Sequence, residues 1–322
     1  MGEAPDEDRP MGTNTPSTAV PGEAREISRP ARSPAKVLWV SLRPRQWMKN
    51  LLVFVALLFS KNLLNPLLVG KAVLGFFCFC AVSGGVYLMN DLKDLEMDRL
   101  HPVKRLRPLA AGKLSKDVAY WAAITLMGVG LALSVLLAVP FGVAVAIYLG
   151  VQMAYIWWLK EVVILDVFCI SAGFVLRAVA GGLVIAIHIS SWLIVCTFML
   201  ALFLALAKRR HELTILKGEA TSHRPILKEY SFQLLDQMIV VVMASTLMSY
   251  TLYTLSDVTA KKFGTDNLKY TIPFVLYGIL RYLYLVHKRE LGGQPEMVLL
   301  TDKPLLISIA LYVMTVGVIL YF

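Results

Sequence analysis

Residues 68–98 read LVGKAVLGFFCFCAVSGGVYLMNDLKDLEMD. Up to residue 89 the stretch is apolar over a length that crosses a membrane core, with Lys71 its one charge. Asn90, Asp91, Asp94 and Asp98 then follow at once as an NDxxDxxxD run. On a helix the three aspartates stand at i, i+3 and i+7 and share one face, with Tyr87 and Asn90 on the same side. Several carboxylates at a membrane edge repel each other unless a cation binds between them. Hard oxygen ligands in this number suit Mg²⁺, which keeps part of its shell for water and phosphate oxygens. A solvated acidic helix end beside Lys93, Arg99, Lys104, Arg105 and Arg107 is the plainer reading. Spacing and position at a span end favour a diphosphate–Mg²⁺ site.

The same apolar pattern recurs outward from this stretch. The chain has 322 residues, 57% hydrophobic and 17% charged, more apolar than a soluble domain of this size needs. Apolar runs predict nine spans, at 47–64, 68–89, 118–138, 141–159, 163–187, 190–207, 233–255, 270–287 and 304–322. The predicted class is an all-α polytopic bundle over 36–322. Residues 1–35 lack an apolar signal-peptide core and are rich in Pro, Ser, Thr and charge, which predicts a disordered cytoplasmic tail.

Alternate connections differ sharply in basic residues. Counted from Arg32 onward, Lys and Arg number 22 on the side of the N-terminus and the large loops, and 5 on the other, at Lys61, Lys71, Lys261, Lys262 and Lys269. The bias predicts a cytoplasmic N-terminus and a C-terminus on the opposite side of the cell (inner) membrane. Topology and anionic ligands account for the net charge of +10, so nucleic-acid binding is not needed to explain it. Cys78, Cys80, Cys169 and Cys196 fall within predicted spans without metal-ligand spacing and read as buried apolar residues.

Four segments on the basic side concentrate polarity. SLRPRQWMKN (41–50) places Pro44 in the first turn of a helix and Lys49 just inside a span. Arg43 and Arg45 read equally well as topology anchors. RLHPVKRLRPLAAG (99–112) is a loop with three cations in four residues, Lys104, Arg105 and Arg107, beside the carboxylates. YIWWLKE (155–161) leads into a span holding Asp166 and Arg177, eleven residues apart and facing the same way. An arginine roughly 16 Å inside a span faces a bundle interior or a polar cavity, or an ion pair from another helix. Gly173, Gly181 and Gly182 beside it allow close helix packing. KRRHEL (208–213) and HRPILKEY (223–230) form a basic run suited to a lid over an anion.

With these motifs in place, the chain resembles the UbiA superfamily of intramembrane prenyltransferases from residue 40 onward. The NDxxDxxxD run after the second span and the Tyr-x-x-x-x-Lys turn before the fifth carry the resemblance. Classical members have a second aspartate-rich motif between the sixth and seventh spans, where this chain has KRRHEL…HRPILKEY. RPRQWMKN, the basic loop, LKEVVILDVFCISAGFVLRAVAGG and RYLYLVHKRELGGQPEMVLLTDKPL resemble one branch of the superfamily. That branch moves 5-phosphoribose from phosphoribosyl diphosphate to a polyprenyl phosphate in the lipid bilayer. The resemblance implies Mg²⁺ on Asn90 and Asp94, with Asp91 and Asp98 completing the polar face. It further implies donor contacts from Tyr87 and Lys49, and Lys104 touching the phosphates of donor and acceptor. Lys160 and Arg177 match further basic positions of the branch. No residue is assigned as a catalytic base, because the acceptor phosphate is already ionised at neutral pH. Two rivals remain: prenyl transfer to an aromatic or other small acceptor, and a transporter or flippase. The sequence shows no internal repeat or paired broken helices to favour transport.

Overall fold

In the computed structural model, residues 33–215, 225–288, 298 and 301–321 are described. They form helices only, with no strand among them. After α1 (Pro34–Ser41) comes a 3-10 helix, Pro44–Phe54, continued by the short α2 (Val55–Phe59). The long helices are α3 (Pro66–Lys93), α5 (Lys116–Leu137), α6 (Val139–Trp157), α7 (Leu165–Val184), α8 (Ser191–Ile215), α9 (Phe232–Leu255) and α12 (Lys303–Tyr321). Shorter ones are α4 (Leu95–Leu100), α10 (Asp257–Phe263) and α11 (Ile272–Lys288). The expected N-terminal tail lies outside the described residues, except at its end, where Pro34 already begins α1.

Seven helices among the described residues are long and apolar enough to cross a membrane. The first and eighth expected spans take shorter forms. Residues 44–59 alternate apolar residues with Arg45, Gln46, Lys49 and Asn50, and they fold as a 3-10 helix and a single short α-helix. Residues 272–288 make one helix, a little too short to count with the seven. The sixth expected span, 190–207, runs on to residue 215, so all of KRRHEL is helix instead of loop.

Local chemistry sets several helix starts. Asn65 caps α3 by accepting the Leu67 and Leu68 amides, with Pro66 in the first turn. Ser115 and Ser231 cap α5 and α9 by accepting the amides of Val118 and Leu234. Neighbours in sequence then pack side by side: α5 on α3, α6 on α5, α7 on α6, α8 on α7 and α9 on α8. One core joins α3, α6, α7 and the Pro44–Phe59 segment around Phe79, Phe141, Tyr148 and Val184. A second joins α7, α8, α9 and α11 around Phe203, Leu206, Leu235 and Tyr282. Helix α7 belongs to both.

Outward faces are apolar, as Leu136, Val241, Met248 and Val318 show, while Asp91, Asp98, Asp166, Arg177 and Arg209 are buried. Charge inside and hydrocarbon outside is the pattern of a bundle in lipid. Close approach needs glycine at two points. A Cβ on Gly181 would stand 2.1 Å from the Val53 carbonyl oxygen, and one on Gly85 would stand 2.8 Å from that of Ala123. Gly181 thereby lets the Pro44–Phe54 helix lie directly against α7. The four cysteines are free, Cys78 and Cys80 buried and Cys169 and Cys196 half-buried.

Candidate functional site

The NDxxDxxxD run straddles the end of α3. Asp94 caps that helix with φ −94° and ψ 8°, and α4 begins at Leu95. Backbone bonds from Asp94 N–H to Asn90 O (3.0 Å) and Asp98 N–H to Asp94 O (2.8 Å) carry the turn across the break. The three aspartates therefore stay near one another without lying on a single straight helix. Asp91 and Asp98 are buried, whereas Asp94 and Asn90 are half-buried.

Cations from three other segments meet these carboxylates. Arg107 donates through Nη1 to Asp91 Oδ1 at 3.0 Å and to Asp98 Oδ2 at 2.5 Å. Arg43 pairs with Asp91, and its guanidinium lies 5.0 Å from the centre of the Tyr87 ring. Arg43 has a left-handed backbone (φ 53°, ψ 62°), uncommon for a residue with a side chain, just before Pro44. Lys160, from the connector between α6 and α7, pairs with Asp94. Burial pushes the Asp98 carboxyl above its ordinary value, and the nearby charges of Arg107 and Lys104 pull against that shift. Lys104 opens a short 3-10 helix, Lys104–Leu106, with its amide donating to His101 Nδ1 at 3.3 Å.

Among the described residues, no group of three or more His, Cys, Asp or Glu side chains is gathered to hold a metal ion. The donor set nonetheless suits a hard cation, through the Asn90 side-chain oxygen and the Asp94 carboxylate one turn further on. Asp91 and Asp98 are instead spanned by arginine.

Behind this face lies a second polar layer. Arg177 is buried and donates from Nε to Asn50 Oδ1 (2.7 Å), from Nη1 to Gly173 O (2.7 Å) and from Nη2 to Tyr148 Oη (2.8 Å). Its guanidinium also lies 4.7 Å from the Tyr148 ring centre. Asn50, next to the half-buried Lys49, donates to Ser83 Oγ at 3.2 Å. Asp166 meets different partners although it shares a helix with Arg177. Roughly 16 Å of helix separates the two by rise per residue. Asp166 accepts from Arg209 Nε at 2.6 Å and from the Tyr230 hydroxyl at 2.9 Å. Burial first, then the Asp166 contact, pushes the Tyr230 phenol up to about 12 despite the Ile164 amide it accepts, so it stays a donor at neutral pH.

Sequence reasoning singled out Lys49, Tyr87, Lys104, Lys160 and Arg177, and treated Arg43 as equally an anchor. It counted Arg107 in the basic loop and Arg209 in the basic run without giving either a partner, and it assigned no role to Asn50, Tyr148 and Tyr230. A usable signal existed for Arg209, because Asp166 within a span calls for a cation on a neighbouring helix.

A model of the UbiA prenyltransferase family matches residues 50–296. The chain belongs to the UbiA prenyltransferase family. It is accordingly a multi-pass membrane protein. One UbiA relative, the decaprenyl-phosphate phosphoribosyltransferase of Mycolicibacterium smegmatis, is 32% identical over 95% of this chain and 99% of its own length. The protein of that name from Corynebacterium glutamicum is 31% identical over 93% of this chain and 91% of its own. Among solved structures, a UbiA homologue from Archaeoglobus fulgidus bound to GPP and Mg²⁺ superposes with a TM-score of 0.67. It covers 89% of this chain and 100% of that one at 20% identity, a likeness of fold.

Proposed function

We propose that this UbiA protein transfers 5-phosphoribose from 5-phospho-α-D-ribose 1-diphosphate to a polyprenyl phosphate, releasing diphosphate. The observation that carries the reading is the near end-to-end alignment with relatives named for that transfer. The site chemistry supports it. Where classical members of the family carry a second aspartate motif, this chain has a basic run in place of the carboxylates, and cations stand by the acidic motif at Arg43, Lys104, Arg107 and Lys160. A donor with a diphosphate and a 5-phosphate, meeting an acceptor phosphate, presents far more negative charge than an allylic diphosphate alone.

In this reading Asn90 and Asp94 hold Mg²⁺, which supplies neutralisation of the leaving diphosphate. Asp91 and Asp98 orient Arg43 and Arg107 towards the phosphates. Tyr87, Lys49 and Lys160 bind the donor, and Lys104 lies between donor and acceptor phosphates. Arg177 is enclosed by neutral partners, so it holds Asn50 and Tyr148 in place behind the site instead of touching phosphate. An acceptor phosphate oxygen forms a bond to ribose C1 as the C1–O bond to diphosphate breaks. The electron pair leaves with diphosphate, and the anomeric centre inverts from α to β. Lys and Arg stabilise the charge where it develops. The acceptor is ionised already, so no proton needs a base. The basic bias of the connections supports a cytoplasmic position for this face with the C-terminus opposite, and in this reading the isoprenoid tail lies in the bilayer.

The test is direct. Membranes containing the protein, Mg²⁺ and polyprenyl phosphate receive phosphoribosyl diphosphate labelled in the ribose, and label is scored in the organic phase. Label confined to the aqueous phase, while labelled geranyl diphosphate is consumed with an aromatic acceptor, overturns the reading.

A further inference from the structure

We propose that Tyr230 is a positioning residue for Lys160, acting through the backbone of the connector between α6 and α7. The inference rests on the placement of Lys160 at the donor site. Tyr230 lies 70 residues along the chain from Lys160, at the end of the basic run. Its hydroxyl accepts the Ile164 amide at 2.8 Å and donates to Asp166 Oδ1 at 2.9 Å. Asp166 is held in turn by Arg209, whose Nη1 donates to Glu212 Oε2 at 2.7 Å and whose Nη2 reaches Tyr155 Oη at 3.4 Å. Asp166, Arg209 and Tyr230 are all buried. Through Asp166 and Arg209, the hydroxyl thus joins a network that links the start of α7 to the ends of α6 and α8.

Ile164 shows why that tie matters. Its φ of 70° with ψ −44° is a conformation that a β-branched residue adopts only when its surroundings impose it. The Tyr230 hydroxyl is the side-chain acceptor that meets its amide there. Between Ile164 and the end of α6, the connector is a single 3-10 turn, Leu159–Glu161, closed by the Val162 amide on Leu159 O at 3.2 Å. This turn also packs on the Pro225–Lys228 turn that leads to Tyr230. Lys160 sits in the middle of it, paired with Asp94 and only 13% exposed. A connector this short and this tightly bonded passes a shift at Ile164 on to Lys160. The end of the basic run therefore sets the direction of a cation 70 residues earlier, without touching phosphate itself.

Tyr230→Phe removes the hydroxyl and little else. In the purified full-length protein, the rate of Lys160 acetylation by acetic anhydride, read by mass spectrometry, is compared with that of exposed Lys113. The inference expects Lys160 to label about fivefold faster in Tyr230→Phe, the size of one net hydrogen bond, with Lys113 unchanged. Equal labelling of Lys160 overturns it. So does a variant that fails to fold, because the hydroxyl then supports the whole bundle. Donor affinity, by calorimetry with Mg²⁺ and phosphoribosyl diphosphate, is then measured for Tyr230→Phe, Lys160→Ala and the double variant. Tyr230→Phe is expected to weaken binding severalfold in the native background and to add little in Lys160→Ala. Full additivity overturns the inference. If Lys160→Ala leaves donor affinity intact while Tyr230→Phe still speeds Lys160 labelling, the positioning stands and the donor role of Lys160 falls.

Discussion

Arg177 on α7 and Asn50 on the Pro44–Phe54 helix, 127 residues apart, share a 2.7 Å hydrogen bond in the buried interior. The guanidinium has no carboxylate beside it among its hydrogen-bond partners in the described residues; Asn50, Tyr148 and the Gly173 carbonyl receive its protons. Asn50→Ala leaves a buried donor unmet, and the expected loss is about 1–3 kcal/mol. Equilibrium unfolding in detergent measures it, with Ser115→Ala at an exposed helix cap as a milder control.

Asp94→Ala is expected to abolish most transfer while membrane insertion and thermal stability persist. The substitution removes the proposed metal oxygen and the Lys160 partner, not a packing group. Turnover near the native level at saturating Mg²⁺ would sink the assignment of Asp94.

The two lysines at either end of the loop between α4 and α5 should behave differently. Lys104 is close enough to Asp98 to act on its charge, whereas Lys116 opens α5. Lys104→Ala is expected to raise KM for donor and acceptor and to lower kcat, because two anions must be held together. Lys116→Ala is expected to change neither. Equal small effects would return the loop to a topological role.

Phosphoribosyl diphosphate with Mg²⁺ is expected to raise the thermal midpoint of the purified protein by ordinary linkage, and geranyl diphosphate to do so much less. The reverse order would favour a prenyl donor.

Gly181→Ala places a methyl group against the Val53 carbonyl, with no side chain able to give way. Loss of stability of about 1–3 kcal/mol follows, as in an overpacked core. Gly128→Ala, where nothing lies within 4 Å, is expected to be neutral.

The long helices were legible because lipid imposes a simple rule: every span needs a sustained apolar run. Asn90, Asp91, Asp94 and Asp98 stood out because the same rule makes carboxylates at a span end conspicuous. What sequence could not supply was pairing. Arg43 and Arg107 look like any basic residues on the positive side until Asp91 and Asp98 are seen between them. Arg209 looked like loop, because a run of cations ordinarily ends a span. Here Asp166 on α7 and Glu212 one turn along neutralise it, and the helix continues to residue 215. The first span was overdrawn for a related reason. Its apolar residues are enough in number, but Lys49 and Asn50 interrupt them, and the Arg177 that meets Asn50 lies far along the chain.

That interruption bears on the order in which the protein is assembled. The Pro44–Phe54 helix carries Arg45, Gln46, Lys49 and Asn50, so hydrocarbon alone offers it little reason to enter the bilayer. What receives it is α7, through the Gly181 notch and the Arg177–Asn50 bond, and α7 is synthesised more than a hundred residues later. The Pro44–Phe54 segment thus meets Ser83 on α3 early in synthesis, but its Gly181 notch and Arg177 partner exist only once α7 has been made.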